Sequence, residues 1–372
     1  MSPDGAEADV AIIGAGPAGA ATAVQLGQLG VGNVVLVDRA DFPRDKTCGS
    51  AVSPKGIQTL QDLGVWPEVE RCSYRISGLR LVTPGGREAY VSGGDAAAAI
   101  VCCRRTLDHL LLQRALGFKV RFVPNFYAKE LIQNQGRVAG FRALDGREVR
   151  ARYTVVTDGA HSLFTGNQAP KRFIQAIMGW WEGVPFRANH VEMIFDSMLR
   201  PLYGWLFPET DTRVNIGICY EDPDHRHNAR HLFAQFLDKH FQTRLARAAP
   251  LGDWKGHPIS YSYRIGKLYS PGRLVVGEAG RLTHPATAEG IYQGLRSGIL
   301  AAEALGAVLS RRSRETEAFA DYEASCRKTF SASFWGAKLW RAAIRTPLLD
   351  WVVAAGERPA VRNTVARLMA NM

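Results

Sequence analysis

Glycines at positions 14, 16 and 19, in Gly14-Ala15-Gly16-Pro17-Ala18-Gly19, have the spacing that brings a diphosphate against bare backbone N–H groups. Gly14 permits a tight turn, Gly16 lets the anion approach the backbone, and Gly19 lets a helix pack on a strand. The anion then rests on the unsatisfied N–H groups of the helix start, at Ala18 and its neighbours. Asp38, nineteen residues beyond Gly19, is placed to accept hydrogen bonds from an adenosine ribose, and Arg39 is grouped with it. The pattern names a dinucleotide but does not choose between nicotinamide and flavin.

The loop needs a strand before it and a helix after it. Asp9 to Ile13 reads as a buried parallel strand, an apolar run without alternation. Ala20 to Leu29 reads as a helix ended by Gly30 and Gly32, and Val34 to Val37 as a second buried strand, which closes a βαβ unit. Tyr153 to Thr157 is a further buried strand running into Asp158-Gly159, and Arg273 to Val276 another running into Gly277. Between them, residues 175 to 219 are dense in strand formers and aromatics, the mark of an antiparallel sheet interrupting the nucleotide domain. In that segment alternation places Tyr203, Trp205 and Phe207 on one face. Residues 315–372 read as helices.

Composition narrows the class. The 372 residues are 46% hydrophobic and 22% charged, as in a folded globular protein, with no run long and apolar enough for a membrane span. The first ten residues carry no basic-then-apolar secretory pattern. Six cysteines without CxxC spacing argue against zinc or a disulfide framework; no metal is expected, and a reducing cytoplasm suits the chain. The net charge of +11 reads as a solvated basic surface with some arginines serving an anionic cofactor, and leaves contact with an anionic membrane surface or a phosphorylated lipid open. Its basic residues come in short clusters rather than one stripe with aromatics, so nucleic acid is not expected. No feature sets an oligomeric state.

Three further segments resemble, in order and spacing, the FAD-dependent oxidoreductases of the geranylgeranyl reductase family, within the p-hydroxybenzoate hydroxylase-like flavoproteins. Phe42-Pro43-Arg44-Asp45-Lys46-Thr47-Cys48-Gly49-Ser50 resembles the family's PRDKxCG stretch. The resemblance implies that Arg44, Cys48 and Gly49 lie near the flavin, with Cys48 an active-site wall rather than a nucleophile. Arg104-Arg105 with Leu107-Asp108 resembles RRxxLD at a helix start. Arg105 is the better match to the arginine that reaches the cofactor; Arg104 reads as readily as surface charge, and Asp108 as a helix-start acid. Asp158-Gly159 resembles the family's DG motif, and Gly277-Glu278-Ala279-Gly280 its GDAAG, with Glu278 where an aspartate usually meets the ribityl chain. His284-Pro285 through Gly290-Ile291 resembles NPxTGEGI, with Ala288 in place of a glycine and His284 in place of a polar residue. There the helix start faces the flavin N1–C2=O edge, and His284 is a hydrogen-bonded wall or a proton-transfer group. Tyr203 to Pro208 with Asn215 to Cys219 resembles YxWxFP…GxG, with Cys219 at the last glycine.

The resemblance implies an α/β fold: a discontinuous Rossmann-type FAD-binding domain (1–75, 100–162, 268–325), an inserted antiparallel-sheet substrate domain (76–99, 163–267) and C-terminal helices (326–372). It implies reduction of carbon–carbon double bonds in an apolar isoprenoid or lipid-like substrate, with Tyr203 and Trp205 lining its pocket. NADPH or NADH is expected as a transient reductant, since no second glycine fingerprint appears. A flavin-dependent monooxygenase is the alternative. A halogenase fits less well, because only Trp205 and Pro208 match its WxWxIP, and a non-catalytic flavin-binding partner protein is kept as a different class.

Overall fold

The computed structural model describes residues 7–92, 99–165 and 172–355. Its first sheet is built on β1 (Ala8–Ile13), a run of apolar residues buried on both faces, as strands covered by helices must be. The glycine loop leads into α1 (Pro17–Gln28), which starts earlier than the composition indicated because Pro17 takes the first helical position, where its missing N–H costs nothing. Next comes β2 (Val34–Val37), parallel to β1 with Ile12 opposite Leu36.

After α2 (Arg104–Leu116), β3 (Arg121–Val123) adds to the outer edge of β2. On the other side of β1 lies β4 (Glu148–Val156), parallel to it with Val155 opposite Ile12, and residues Arg273–Val275 pair in parallel along the far side of β4. Strands far apart in sequence thus meet in one parallel layer, and their C-terminal ends, at Gly14, Asp38, Asp158 and Gly277, converge on one rim. Ligands bind at that rim in sheets of this kind.

The second sheet is centred on β5 (Arg172–Glu182), β6 (Gly204–Pro208) and β7 (Arg213–Tyr220). β7 lies between the other two, antiparallel to both, with Trp205 opposite Gly217. One pairing departs from the antiparallel expectation: Gly78–Val82 joins His190–Ile194 in parallel.

Two long helices close the molecule. α3 (Ile291–Leu309) crosses α1 at close range, where a Cβ at Gly298 would stand 2.6 Å from the Ala18 carbonyl oxygen. α4 (Glu315–Ile344) runs unbroken, and α5 (Leu348–Ala355) follows it. Residues 356–372, read above as helical and containing Arg358-Pro359, lie outside the described residues. No helix among the described residues is long and apolar enough to cross a membrane.

Candidate active site

The rim of the parallel sheet opens into a groove of about 350 Å³ lined by Gly14, Gly16, Ala18, Asp38, Asp158 and Gly159. Gly14 has φ +101°, and a Cβ there would meet the Thr157 carbonyl oxygen at 2.7 Å, so only glycine fits the turn. A Cβ at Gly19 would collide with the Gly14 carbonyl. Gly16 differs. A Cβ there would meet nothing nearer than the guanidinium nitrogens of Arg104 and Arg44, at 3.7 and 3.8 Å. The space above Gly16 is therefore a cradle between two cations and the start of α1, which has no side-chain cap and no acid in its first turn. Uncapped N–H groups facing two guanidinium ions fit an anion such as a pyrophosphate. Asp38 sits at the end of β2, where one carboxylate oxygen accepts the Ala15 N–H at 2.8 Å and the other the Ala40 N–H at 3.0 Å. Arg39 lines the same groove from an exposed position.

The two arginines of the Arg104-Arg105 pair lie in different surroundings. Arg105 is 55% exposed and faces Asp45, whereas Arg104 is 11% exposed and points into the groove. The reason lies one turn along α2. Asp108, fully buried, takes Arg104 Nε at 2.6 Å and Nη2 at 2.7 Å, and also Arg44 Nη1 at 3.2 Å. The i,i+4 spacing turns Arg104 inward with Asp108, and Arg105 is rotated out. Asp108 is thus not a helix-start charge but the shared counter-ion of the two guanidinium groups above Gly16. Burial opposes the Arg104 charge, and Asp108 more than offsets it.

The groove continues into a larger cavity of about 610 Å³, and Lys46, His257, Glu278, Gly290 and Ile291 line both. Lys46 Nζ lies 2.6 Å from His257 Nε2. Burial and the nearby Arg104 pull the Lys46 ammonium down to about 8, and burial with Lys46 pulls His257 down to about 3. His257 is therefore neutral, and its Nε2 accepts a hydrogen bond from the Lys46 ammonium. Glu278 accepts the Ser260 N–H at 3.0 Å, and burial pushes its carboxyl up.

The cavity wall is aromatic and tied down. Tyr203, Trp205 and Phe207 all line it, with centroid spacings of 6.3 and 5.9 Å along the row. The Tyr203 hydroxyl donates to the Thr287 carbonyl at 2.5 Å, so it is held in place rather than offered to a ligand. Trp205 Nε1 donates to Asn215 Oδ1 at 2.7 Å, while Asn215 Nδ2 donates to the Gly49 carbonyl at 3.3 Å. Asn215 thereby links the aromatic wall to the Cys48-Gly49 segment, and Cys48 also lines the cavity. Cys219 also reaches the cavity, its thiol pushed up to about 12 by burial and so protonated.

His284 is not in the wall. It is fully buried, lines neither space, and accepts the Thr287 N–H and hydroxyl on Nδ1 at 3.2 and 3.0 Å, with its ring edge-on to Phe334. It is a strut of the 284–288 turn, pulled down to about 4 by burial and therefore neutral. The residue of that segment that does reach the cavity is Glu289. Its Oε1 is buried without a hydrogen-bond partner, and burial pushes its carboxyl up. A charge within the apolar run from Ala286 to Ile291 was its visible signal. The pairing of Lys46 with His257 had none, because 211 positions separate them. Gly290 caps α3, which has no side-chain cap and no first-turn acid, so its N–H groups open on the junction.

Residues 7–333 match the family of the FAD binding domain. Over 336 residues the chain is 26% identical to digeranylgeranylglycerophospholipid reductase 1 of Methanothermobacter thermautotrophicus, covering 87% of this chain and 83% of the relative. It is 29% identical over 331 residues to menaquinone reductase of Mycobacterium tuberculosis, covering 80% and 76% respectively. A geranylgeranyl bacteriochlorophyll reductase-like protein from Thermoplasma acidophilum shares the fold with TM-score 0.83 at 20% identity, over 93% of this chain and 90% of that one. The uncapped glycine loop, the buried arginine pair and the match along most of the chain lead to one assignment: the chain belongs to the FAD binding domain family of FAD-dependent oxidoreductases.

Proposed function

We propose that this enzyme reduces carbon–carbon double bonds of an apolar isoprenoid substrate. The observation that carries the reading is the 610 Å³ aromatic-walled cavity, contiguous with the phosphate-binding groove through Lys46, His257, Glu278, Gly290 and Ile291. Relatives named for digeranylgeranylglycerophospholipid and menaquinone as substrates support it. Gly14, Gly16, Ala18, Gly19, Arg44 and Arg104 hold the pyrophosphate of FAD, and Asp38 meets the adenosine ribose. Asp158, Gly159, Gly277 and Glu278 border its path toward the cavity, where Cys48, Gly49, Gly290 and Ile291 flank the ring. When bound and reduced by NADPH or NADH, FAD supplies a hydride. Tyr203, Trp205 and Phe207 hold the prenyl chain and exclude water.

Reduction of an alkene also needs a proton on the neighbouring carbon. Glu289 is the donor in this reading: its carboxyl lines the cavity, burial shifts it toward the protonated form, and its Oε1 has no hydrogen-bond partner. The proton passes to one alkene carbon as the hydride reaches the other, and the carboxylate regains a proton from solvent.

Anaerobic mixing of the reduced flavoprotein with a prenylated lipid tests both statements. Substrate-dependent flavin reoxidation without dioxygen is expected, and turnover that requires dioxygen would overturn the reductase reading in favour of a monooxygenase. Glu289→Gln is expected to bind and reduce FAD normally but to slow this step about 10²-fold or more. An unchanged rate would remove Glu289 from the chemistry.

A further inference from the structure

Among the large hydrophobic side chains that stand exposed on the described surface, four fall between 335 and 351. Trp335, Leu339, Leu348 and Trp351 are 64, 56, 46 and 69% exposed. Trp335 and Leu339 are one turn apart on α4, and Leu348 and Trp351 are i,i+3 neighbours on α5, so each pair shares a helix face. Exposed Ala332 and Ala342 continue the α4 stripe in both directions.

The exposed charges along this stretch of the two helices are basic, with Arg327 paired to the half-buried Glu323 one turn back. From Arg327 to Ala354 the exposed charged residues are Arg327, Lys328, Lys338 and Arg345. The one acid in that span, Asp350, is half-buried and committed to the Thr83 hydroxyl and the Gly85 N–H. An apolar stripe bearing two tryptophans with exposed Lys338 and Arg345 beside it has the composition of a helix that lies in the headgroup region of an anionic bilayer.

The inner side of the same two helices belongs to the active site. Ile344 and Leu349 are buried in one cluster with Phe195, Tyr203 and Trp205, and Trp340 packs edge-on to Phe195. The exposed stripe thus lies one helix diameter, about 10 Å, from the aromatic cavity wall.

We propose that the α4–α5 face, through Trp335, Leu339, Leu348 and Trp351 with Lys338 and Arg345, docks this enzyme on anionic lipid bilayers. The proposal rests on the apolar-substrate reading for its purpose, since docking sets the cavity beside a source of prenylated lipid. Binding itself is measurable without turnover.

The test is co-sedimentation of the full-length FAD-loaded protein with phosphatidylcholine vesicles, with or without phosphatidylglycerol. Binding is expected only with phosphatidylglycerol and is expected to weaken as salt rises. The double variant Trp335→Ala, Trp351→Ala should lower the partition coefficient more than tenfold. Lys338→Glu with Arg345→Glu should lower it comparably on anionic vesicles, since each basic residue near the surface contributes about 1 kcal/mol, or roughly fivefold. Brominated phosphatidylglycerol should quench tryptophan fluorescence in the parent protein and less so in the tryptophan variant. Absence of vesicle binding, or binding equal in parent and variants, would overturn the proposal. So would a variant that changes the sedimentation mass in solution, which would make the face a protein interface. All variants should turn over a short, water-soluble prenyl substrate at the parent rate. Vesicle binding by a protein that fails to reduce any prenyl substrate would leave docking standing and reject the substrate reading alone.

Discussion

Arg104 and Asp108, one turn apart on α2, form a two-point ion pair of 2.6 and 2.7 Å whose carboxylate is fully buried and shared with Arg44. Two guanidinium groups are thereby held over Gly16 by a shared counter-ion, and Arg44 also stands 3.7 Å from Asp38. Arg104→Ala should weaken FAD binding strongly, by about 2–4 kcal/mol or 30- to 1000-fold, because both a phosphate contact and the partner of a buried charge are lost. Arg105→Ala should leave affinity within twofold. Titration of the apoproteins followed by flavin fluorescence decides between them, and equal losses would return Arg105 to the site.

The glycine loop separates folding from binding. Gly16→Ala meets no atom closer than 3.7 Å and should leave the melting temperature of the FAD-free protein nearly unchanged while lowering FAD affinity at least tenfold, since its methyl occupies the anion cradle. Gly19→Ala collides with the Gly14 carbonyl and should destabilise the FAD-free protein itself by several kcal/mol. Thermal denaturation with and without FAD distinguishes the two effects.

His284 predicts an acid-sensitive fold. Its folded value of about 4 lies below the ordinary 6.5, so the unfolded chain binds the proton more readily in between. Stability is therefore full above pH 6.5 and falls as pH drops toward 4, by about 2 kcal/mol at pH 5 from this residue alone. His284→Asn should be less stable at pH 7 through loss of the Thr287 contacts, yet should lose less than the parent between pH 7 and pH 5. Urea unfolding at the two pH values measures the difference.

Ala288 occupies a left-handed conformation, φ +56°. Ala288→Gly should stabilise the protein by about 0.5–1 kcal/mol, the relief of side-chain strain exceeding the added freedom of the unfolded chain. It should also widen the cavity beside Tyr203, which a bulkier substrate would report as a lower KM. A lower melting temperature would count against the strain.

The βαβ start of the chain was legible in the sequence because its determinants are local. A continuous apolar run, three glycines and Asp38 act through backbone geometry over thirty residues, and neither Gly14 nor Gly19 has room for a substitute. The aromatic row was legible as well, since alternation along one strand sets which side chains share a face. Side-chain direction around α2 and the 284–291 turn was not. Arg104 and Arg105 differ only in which way a helix turns, and that was settled when Asp108 met Arg44 from a distant loop. His284 and Glu289 sit five positions apart, yet the turn buries the first against Phe334 and delivers the second to the cavity. Lys46 and His257 come together only because the second sheet lays its strands across the rim of the first. Sequence determined the anchor for the cofactor, whose chemistry lies in the backbone. Tertiary structure decided which charged side chains face the reacting space, because burial and long-range partners fix the direction and protonation of each.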